Sequence, residues 1–312
     1  MHIPTLTTLA LAAVPATALL RFGCSQLTID RVDPLVNPGV SPSPHLHRFS
    51  EDFSNCWTAV FFFRARNGGY HRVPIVPNLG FEGSKGGMTV YHMQEGLTNY
   101  AQTSKVTAFW PGFKQLVGEA SYRTKEQAKR LRQIMYTCLD AMSTRHPETL
   151  NLPTRPCEAG IMANLRFPTC WDGKSLDSPD HMAHMAYPET GTFKSGGPCP
   201  ASHTVRVPQL MYETIWDTRM FNDKEMWPED GSQPFVWSMN DQTGYGSHGD
   251  YIFGGLDDSL PKVMDTPCYV NCPTLKTQTI QKGNECSVNL DFKEPIDSWL
   301  DDIPGMPETA AS

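Results

Sequence analysis

Residues 57–66 read WTAVFFFRAR, and they are followed by Asn67-Gly68-Gly69. β-Branched and aromatic side chains dominate this stretch, and such residues are enriched in strands. An Asn-Gly pair supplies the positive φ angles that a tight hairpin turn requires. The stretch therefore predicts a buried β-strand that ends in a tight turn.

The rest of the chain repeats this pattern of short apolar runs between turn residues. The 24 glycines and 26 prolines favour short strands joined by many turns. Further strands are predicted over residues 21–29, 88–92, 105–110, 163–167, 205–215 and 251–254. We expect a mainly β protein, a single β-sandwich or jelly-roll-like domain with few helices, and an irregular α+β fold is the alternative.

One segment predicts a helix. Thr124 stands three residues before Gln127, as in a capping box, and apolar residues between 131 and 139 recur at helical spacing. A helix is therefore predicted over residues 124–142. Residues 1–20 are apolar enough for a signal peptide, residues 21–285 form the predicted domain, and the acidic residues 286–312 predict a mostly disordered tail.

Charge and cysteine content indicate the compartment and exclude some partners. The net charge is −7 and no basic run is present, which argues against a nucleic-acid partner. No apolar stretch long enough for a membrane span follows the signal peptide. Nine cysteines behind a signal peptide predict disulfides, with Cys170–Cys199 and Cys268–Cys272 as candidate pairs. We expect a secreted protein of the extracellular space or cell wall.

Five of the ten histidines fall into three short motifs, which supply the candidate site residues. His45 and His47 alternate, so on an extended segment both point to the same side. His181 and His184 share a face if their segment is helical, and a polar loop is the alternative. His248 follows a glycine-rich run. Imidazole is the commonest metal ligand and titrates near neutral pH, so both a metal centre and acid/base chemistry fit these motifs.

We assign the following candidate roles. His181 or His248 would be the catalytic acid/base, oriented by Asp180 or Asp250. A divalent metal, if one binds, would be held by His45, His47 and His184. Trp216, Trp237 and Tyr245 lie near these motifs and would stack on a sugar ring. Packing in the core is the alternative for each of them.

Several longer motifs carry a family resemblance that spans roughly residues 21–280. They include Asp33-Pro34-Leu35-Val36-Asn37-Pro38-Gly39, Ser43-Pro44-His45-Leu46-His47, Phe49-Ser50-Glu51-Asp52-Phe53-Ser54-Asn55, Phe167-Pro168-Thr169-Cys170-Trp171-Asp172-Gly173-Lys174, Trp227-Pro228-Glu229-Asp230-Gly231-Ser232 and Gly244-Tyr245-Gly246-Ser247-His248-Gly249-Asp250-Tyr251. With these motifs the chain resembles the family called domain of unknown function nineteen-ninety-six. The resemblance implies a secreted protein, mainly fungal, some of whose relatives carry carbohydrate-binding modules.

The resemblance also bears on the site residues. The family's histidine and aspartate motifs match here at His45, His47, His181, His184, His203, His248, Asp180 and Asp250. Family members usually have a Gly/Asn-rich segment with cysteines after the His-x-His motif, and this chain lacks it. Cys56 also stands where a tyrosine is usual. A deletion or a gene-model error at this point could deprive Cys24 of the disulfide partner that the resemblance implies, and could displace His45 and His47.

Two functions remain open at this point. The first is action on cell-wall polysaccharide, with glycan cleavage by a His/Asp site with or without a metal. The second is non-catalytic glycan binding or a structural role in the cell wall. A metal-binding protein without catalysis is a third reading. Whether the protein is an enzyme is left undecided by the sequence, since no known catalytic motif is complete.

Overall fold

The computed structural model describes residues 19–51, 54–94, 105–129, 134–190, 197–255, 258–264, 272, 275–289 and 294–306. Within these ranges the chain forms short strands and three five-residue helices. The elements are β1 (Leu19–Gly23), β2 (Gln26–Asp30), β3 (His47–Glu51), β4 (Ser54–Ala59), β5 (Phe61–Arg64), β6 (Tyr70–Arg72), β7 (Ile75–Val76), β8 (Met88–Met93), β9 (Lys114–Gly118), α1 (Lys125–Lys129), β10 (Ile134–Ala141), β11 (Thr144–Arg145), β12 (Gly160–Arg166), β13 (Cys170–Trp171), β14 (Met185–Ala186), β15 (Val205–Arg206), β16 (Gln209–Trp216), β17 (Phe235–Trp237), β18 (His248–Phe253), α2 (Ser259–Val263) and α3 (Ile280–Asn284). Two 3-10 turns cover Arg219–Phe221 and Lys224–Met226.

Two antiparallel sheets dominate the fold. The larger has the order β1-β8-β16-β12-β10-β11, with β7 pairing against β16, and the second has the order β2-β3-β4-β18-β9. Two three-stranded sheets, β17-β5-β6 and β14-β13-β15, complete the architecture. The prediction of a mainly β, sandwich-like fold is confirmed.

The two large sheets pack against each other through β18 on one side and β12 and β16 on the other. Gly249 has no side chain at this contact, and an added Cβ would lie 2.9 Å from Leu165 and 3.2 Å from the Tyr212 ring. The Tyr212 hydroxyl donates a hydrogen bond to the Asp250 carbonyl at 2.8 Å. Because odd and even positions of a strand face opposite ways, His248 and Asp250 point away from this contact, toward the other face of their sheet.

The stretch that predicted one strand forms two. β4 ends at Ala59 and belongs to the second sheet, whereas β5 begins at Phe61 and pairs with β17 and β6. Val60 lies between them and donates its N–H to the Leu46 carbonyl at 3.2 Å. The predicted tight turn is confirmed, since Gly68 has a φ of 92° and the hairpin of β5 and β6 closes around it.

The helix prediction for residues 124–142 was wrong beyond its first turn. The capping box forms, with Gln127 Oε1 accepting from the Thr124 N–H at 3.0 Å, and α1 ends at Lys129. Residues 130–133 lie outside the described part, and β10 follows. Ile134 and Tyr136 face the core because β10 pairs with β12. The spacing of the apolar residues from Ile134 onward fits both a helix and a strand. Pairing with β12 makes this segment a strand.

Both ends of the chain differ from expectation where they are described. The predicted signal peptide falls mostly outside the described residues, but Leu19 and Leu20 already pair with β8. Part of the predicted disordered tail is packed. Ile296 and Ile303 are 7% and 1% exposed, and Leu300 forms an antiparallel bridge with Tyr70. These apolar side chains are too widely spaced to predict an element, yet they pack in one cluster with apolar residues of β5, β6 and β17.

Disulfide formation is confirmed at one of the two predicted pairs. Cys170 and Cys199 are joined, and so are Cys138 and Cys157. The predicted partner of Cys272, Cys268, lies outside the described residues. None of the described helices has the length and apolar character needed to cross a membrane.

Candidate metal centre

Three of the candidate histidines meet on one face of the second sheet. His47 is the first residue of β3 and His248 the first of β18, and these strands flank β4. Arg48 of β3 and Gly249 of β18 both pair with Thr58 of β4. The residues before them, His47 and His248, therefore lie on either side of Ala59, which has a small side chain. His45 reaches the same place from the loop that precedes β3.

The three rings are close enough to share one ion. His45 Nε2 lies 3.2 Å from His248 Nε2. The three histidines each contribute one ring nitrogen to a group whose members all lie within 4.8 Å of one another. The ring centroids of His45 and His47 are 4.2 Å apart, and those of His45 and His248 are 5.1 Å apart. Zn–N bonds are about 2.0–2.1 Å long, so three such nitrogens suit a single cation.

Two backbone carbonyls set the orientation of the rings. His47 Nδ1 donates to the Val32 carbonyl at 3.0 Å, and His248 Nδ1 donates to the Gly246 carbonyl at 3.0 Å. A carbonyl can only accept, so each Nδ1 carries the proton and each neutral ring keeps its lone pair on Nε2. Nε2 of His47 is buried and has no hydrogen-bond partner within the described residues. Metal-binding histidines are typically held by such a bond from the second ring nitrogen.

Burial keeps the rings in the neutral form that binds metals. Burial, and then the charges of His47 and His248, lowers the pKa of His45 to about 2. Burial, followed by the charge of His248, lowers the pKa of His47 to about 3. Burial also lowers the pKa of His248. Without a metal, the Nε2–H of a neutral His45 can donate to the Nε2 lone pair of His248 at 3.2 Å, and a bound cation would take the place of that proton.

Two carboxyl groups stand near the three rings. Asp250 follows His248 by two residues on the same face of β18, is fully buried, and has no hydrogen-bond partner for either oxygen among the described residues. Burial, with a contribution from Asp33, raises the pKa of Asp250 well above its ordinary value. Asp33 accepts hydrogen bonds from the Leu35 and Val36 N–H groups at 3.1 and 3.0 Å. The carboxylate of Asp33 favours a bound cation, whereas the raised pKa of Asp250 disfavours the charged form of that side chain.

The other candidate residues occupy a separate loop, at the free edge of β9. His184 uses both ring nitrogens there: Nδ1 lies 2.8 Å from the Ser178 hydroxyl, and Nε2 donates to the Lys114 carbonyl at 2.8 Å. The structure therefore places His248, and not His184, with His45 and His47. His203 also bonds to this loop, through the Ala183 carbonyl at 3.0 Å.

His181 has a carboxylate partner, but a different one from the aspartate expected. Its Nδ1 lies 2.6 Å from Asp177 Oδ1, and its backbone has a φ of 55°. Asp180 instead accepts from the Met182 and Ala183 N–H groups at 3.0 and 2.8 Å and so closes the turn. His181 and Asp177 form a partly exposed pair at the sheet edge, outside the three-histidine cluster.

The aromatic candidates for sugar stacking lie in the core. Trp216 and Trp237 are each 2% exposed and contact each other edge to face, with ring centroids 5.6 Å apart. Trp237 Nε1 donates to the Tyr136 hydroxyl at 3.0 Å. Tyr245 is half-buried. For the two tryptophans, burial to this degree favours the core-packing alternative.

Sequence reasoning missed some contributors to this centre. Asp33 and the Val32 carbonyl belong to the proline-rich loop before His45. Ala59 was assigned only to a strand, yet its small side chain separates His47 from His248. Asp33 begins one of the motifs that carry the family resemblance, and this motif, shortly before His-x-His, could have drawn attention to it.

Comparison with known proteins agrees with the motifs. The family model described as Domain of unknown function (DUF1996) matches residues 47–255. The chain belongs to this family. The matched range includes His47, His248 and Asp250 and begins two residues after His45. No curated protein and no solved structure matches the chain.

Proposed function

We propose that this DUF1996 protein binds one divalent transition-metal ion through His45, His47 and His248. The observation that carries the proposal is the convergence of three neutral, buried imidazoles, two of which have their Nδ1 protons committed to backbone carbonyls. A set of three nitrogen ligands suits zinc or copper better than magnesium or calcium, which prefer oxygen. A bound ion of this kind would supply Lewis-acid chemistry at the positions that the protein leaves open.

Burial of the centre favours metal binding over glycan cleavage as its first role. His45, His47 and His248 are 8%, 0% and 5% exposed. A polysaccharide cannot contact rings that are covered to this extent, whereas an ion or a water molecule can. We therefore propose metal binding ahead of glycan cleavage at these residues. Action on a cell-wall polysaccharide, if this family member has it, would involve another surface.

We also propose that the protein acts outside the cell. Its two described disulfides support this, because disulfides form and persist in oxidising compartments. The proposed site agrees with such a location, since an extracellular protein takes up its ion without competition from cytosolic thiols.

The metal content of the purified protein tests the proposal. The protein would be purified without chelator or His-tag, stripped, exposed to Zn²⁺ or Cu²⁺ and desalted, and its metal measured by elemental mass spectrometry. We expect about one ion per chain, and loss of that ion in His47→Ala and His248→Ala variants.

Matched variants make the result specific. His184→Ala should keep the ion, because its ring is committed to Ser178 and Lys114. His146→Ala, which removes a surface histidine paired with Asp140, should also keep it. Near-UV circular dichroism checks that each variant is folded. A folded wild-type protein that takes up no ion, or a His184→Ala variant that loses its ion while His248→Ala retains it, would refute the assignment.

A further inference from the structure

One exposed tryptophan stands out on the surface of this fold. The side chain of Trp110 is 58% exposed, although its neighbour Phe109 is buried. Its backbone is well anchored, because the Phe113 N–H donates to the Trp110 carbonyl at 2.9 Å and the Gly112 N–H donates to the Phe253 carbonyl at 2.9 Å. A large exposed aromatic ring on an anchored backbone marks a candidate interaction site when it borders a groove.

Trp110 borders such a groove. A cavity of about 480 Å³ lies beside its ring, between Pro111, Pro261 and Met264. A second cavity of about 540 Å³ follows, lined by Pro198, Thr204 and Val205. Lys105 and Thr107 line both cavities, so the two form a double groove, which we call the Trp110 groove. Each half falls within the range of about 300–1,000 Å³ that is usual for ligand sites.

The wall shared by both halves is fixed in place. The Thr107 N–H donates to the Arg206 carbonyl at 2.8 Å, which ties the extended segment around Thr107 to β15. The disulfide of Cys170 and Cys199 anchors the far rim. A preformed groove of this kind costs little conformational entropy when a ligand binds.

The charge of the groove differs from that of the whole protein. The chain carries a net charge of −7, yet the described residues that line the Trp110 groove include no carboxylate. Lys105 is exposed there. Arg206 also lines the second cavity but is buried, and its guanidinium donates to Thr169 and to the Gly197 carbonyl. Lys105 is therefore the charged side chain that the described lining presents to solvent, and it favours an anionic ligand.

We propose that the Trp110 groove binds an acidic polysaccharide, one that contains uronic acid units. The apolar C–H face of a pyranose ring would stack on the Trp110 indole. The carboxylate of a uronate would pair with Lys105, and ring hydroxyls would bond to Thr107. Two adjoining compartments with a shared wall fit consecutive sugar units, and the proline, tryptophan and methionine side chains fit their apolar faces.

This groove lies apart from the metal centre. Gly112 hydrogen-bonds to Phe253, the last residue of β18, whereas His248 is the first. Five residue steps of about 3.3 Å along a strand separate the two positions by about 17 Å. Glycan binding at this groove does not depend on a bound metal, so the two proposals can fail independently.

Binding of hexagalacturonate tests the proposal, with neutral cellohexaose as the matched ligand. The affinity of the full-length protein for each would be measured by isothermal titration calorimetry, with and without chelator. We expect binding of hexagalacturonate that weakens as salt is raised, with at least about tenfold weaker binding of cellohexaose. Equal binding of the two sugars, or binding of neither, would overturn the proposal.

Variants locate the site. Trp110→Ala should weaken hexagalacturonate binding by about tenfold or more, and Trp110→Phe by less, since an aromatic face remains. Lys105→Gln should weaken it and reduce its salt dependence. Trp299→Ala is the control, because this second exposed tryptophan, 47% exposed, contacts Phe63 and His71 away from the groove. Unchanged affinity in Trp110→Ala, or an equal loss in Trp299→Ala, would overturn the assignment.

Discussion

Acid should destabilise the metal-free protein steeply, because several histidines are buried in the neutral form. The pKa of His45 is lowered to about 2, and the pKa values of His47 and His92 to about 3, in each case mainly by burial. The ordinary histidine pKa is 6.5. Between about pH 4.5 and 6, unfolding would therefore let each of the three take up close to one proton.

The sign and size of the effect follow from proton linkage. Each of these histidines has a lower pKa in the folded protein than in the unfolded chain. Its contribution to stability is therefore fully present above pH 6.5 and is lost as the pH falls toward the folded pKa. Three protons correspond to about 4 kcal/mol per pH unit. Asp250 acts in the opposite sense, because its raised pKa means that it binds a proton when folded and releases it on unfolding. These four groups together give an expected loss of about 3 kcal/mol per pH unit, and His248, whose pKa is also lowered by burial, adds to it.

Urea unfolding at half-unit steps from pH 4.5 to 6.5, in the presence of chelator, measures this slope. The His92→Phe variant should reduce the slope by about 1.4 kcal/mol per pH unit, since it removes one of the three protons. His146→Gln, which replaces a partly exposed histidine paired with Asp140, is the matched control. A free energy of unfolding that stays flat between pH 5 and 6.5 would refute the burial of neutral histidines.

The remaining predictions concern stability at neutral pH. His92→Phe should raise the free energy of unfolding by about 1–3 kcal/mol, because neither nitrogen of the His92 ring has a hydrogen-bond partner in the described core. A lower urea midpoint in the variant would contradict this. Gly118→Ala should lower the free energy of unfolding by at least about 2 kcal/mol and weaken zinc binding. At its φ of 90°, an added Cβ would lie 2.2 Å from the backbone oxygen of Ser247, the residue before His248. A zinc affinity equal to that of the wild type, measured by competition titration, would contradict this. Replacing Cys170 and Cys199 together by serine should lower stability by about 3–4 kcal/mol, measured by urea unfolding, and a loss below 1 kcal/mol would count against a structural bond.

The mainly β class was predictable because it depends on local composition. Aromatic and β-branched runs separated by glycine and proline indicate strands whatever surrounds them, and the turn at Gly68 follows from its sequence. The helix over residues 124–142 shows the limit. Its capping box formed one turn around α1, but the apolar positions from Ile134 onward fit a strand as well as a helix, and the edge of β12 supplied the hydrogen bonds.

Site prediction had a similar limit. The alternation of His45 and His47 correctly indicated two donors on one side, and the structure brings their rings together. Choosing the third donor required a distance between residues far apart in the chain. Sequence spacing favoured His184, whereas the fold brings in His248.

By itself, the sequence indicated a mainly β fold, offered Cys170 and Cys199 as a candidate disulfide pair, and supplied the residue types from which a site could be built. Only the tertiary structure decided which of them meet. The register of β3 and β18 on opposite sides of β4 places His47 and His248 around Ala59, and a shift of one residue in either strand would turn that histidine to the opposite face. Such register arises from the packing of whole sheets, and no local motif encodes it.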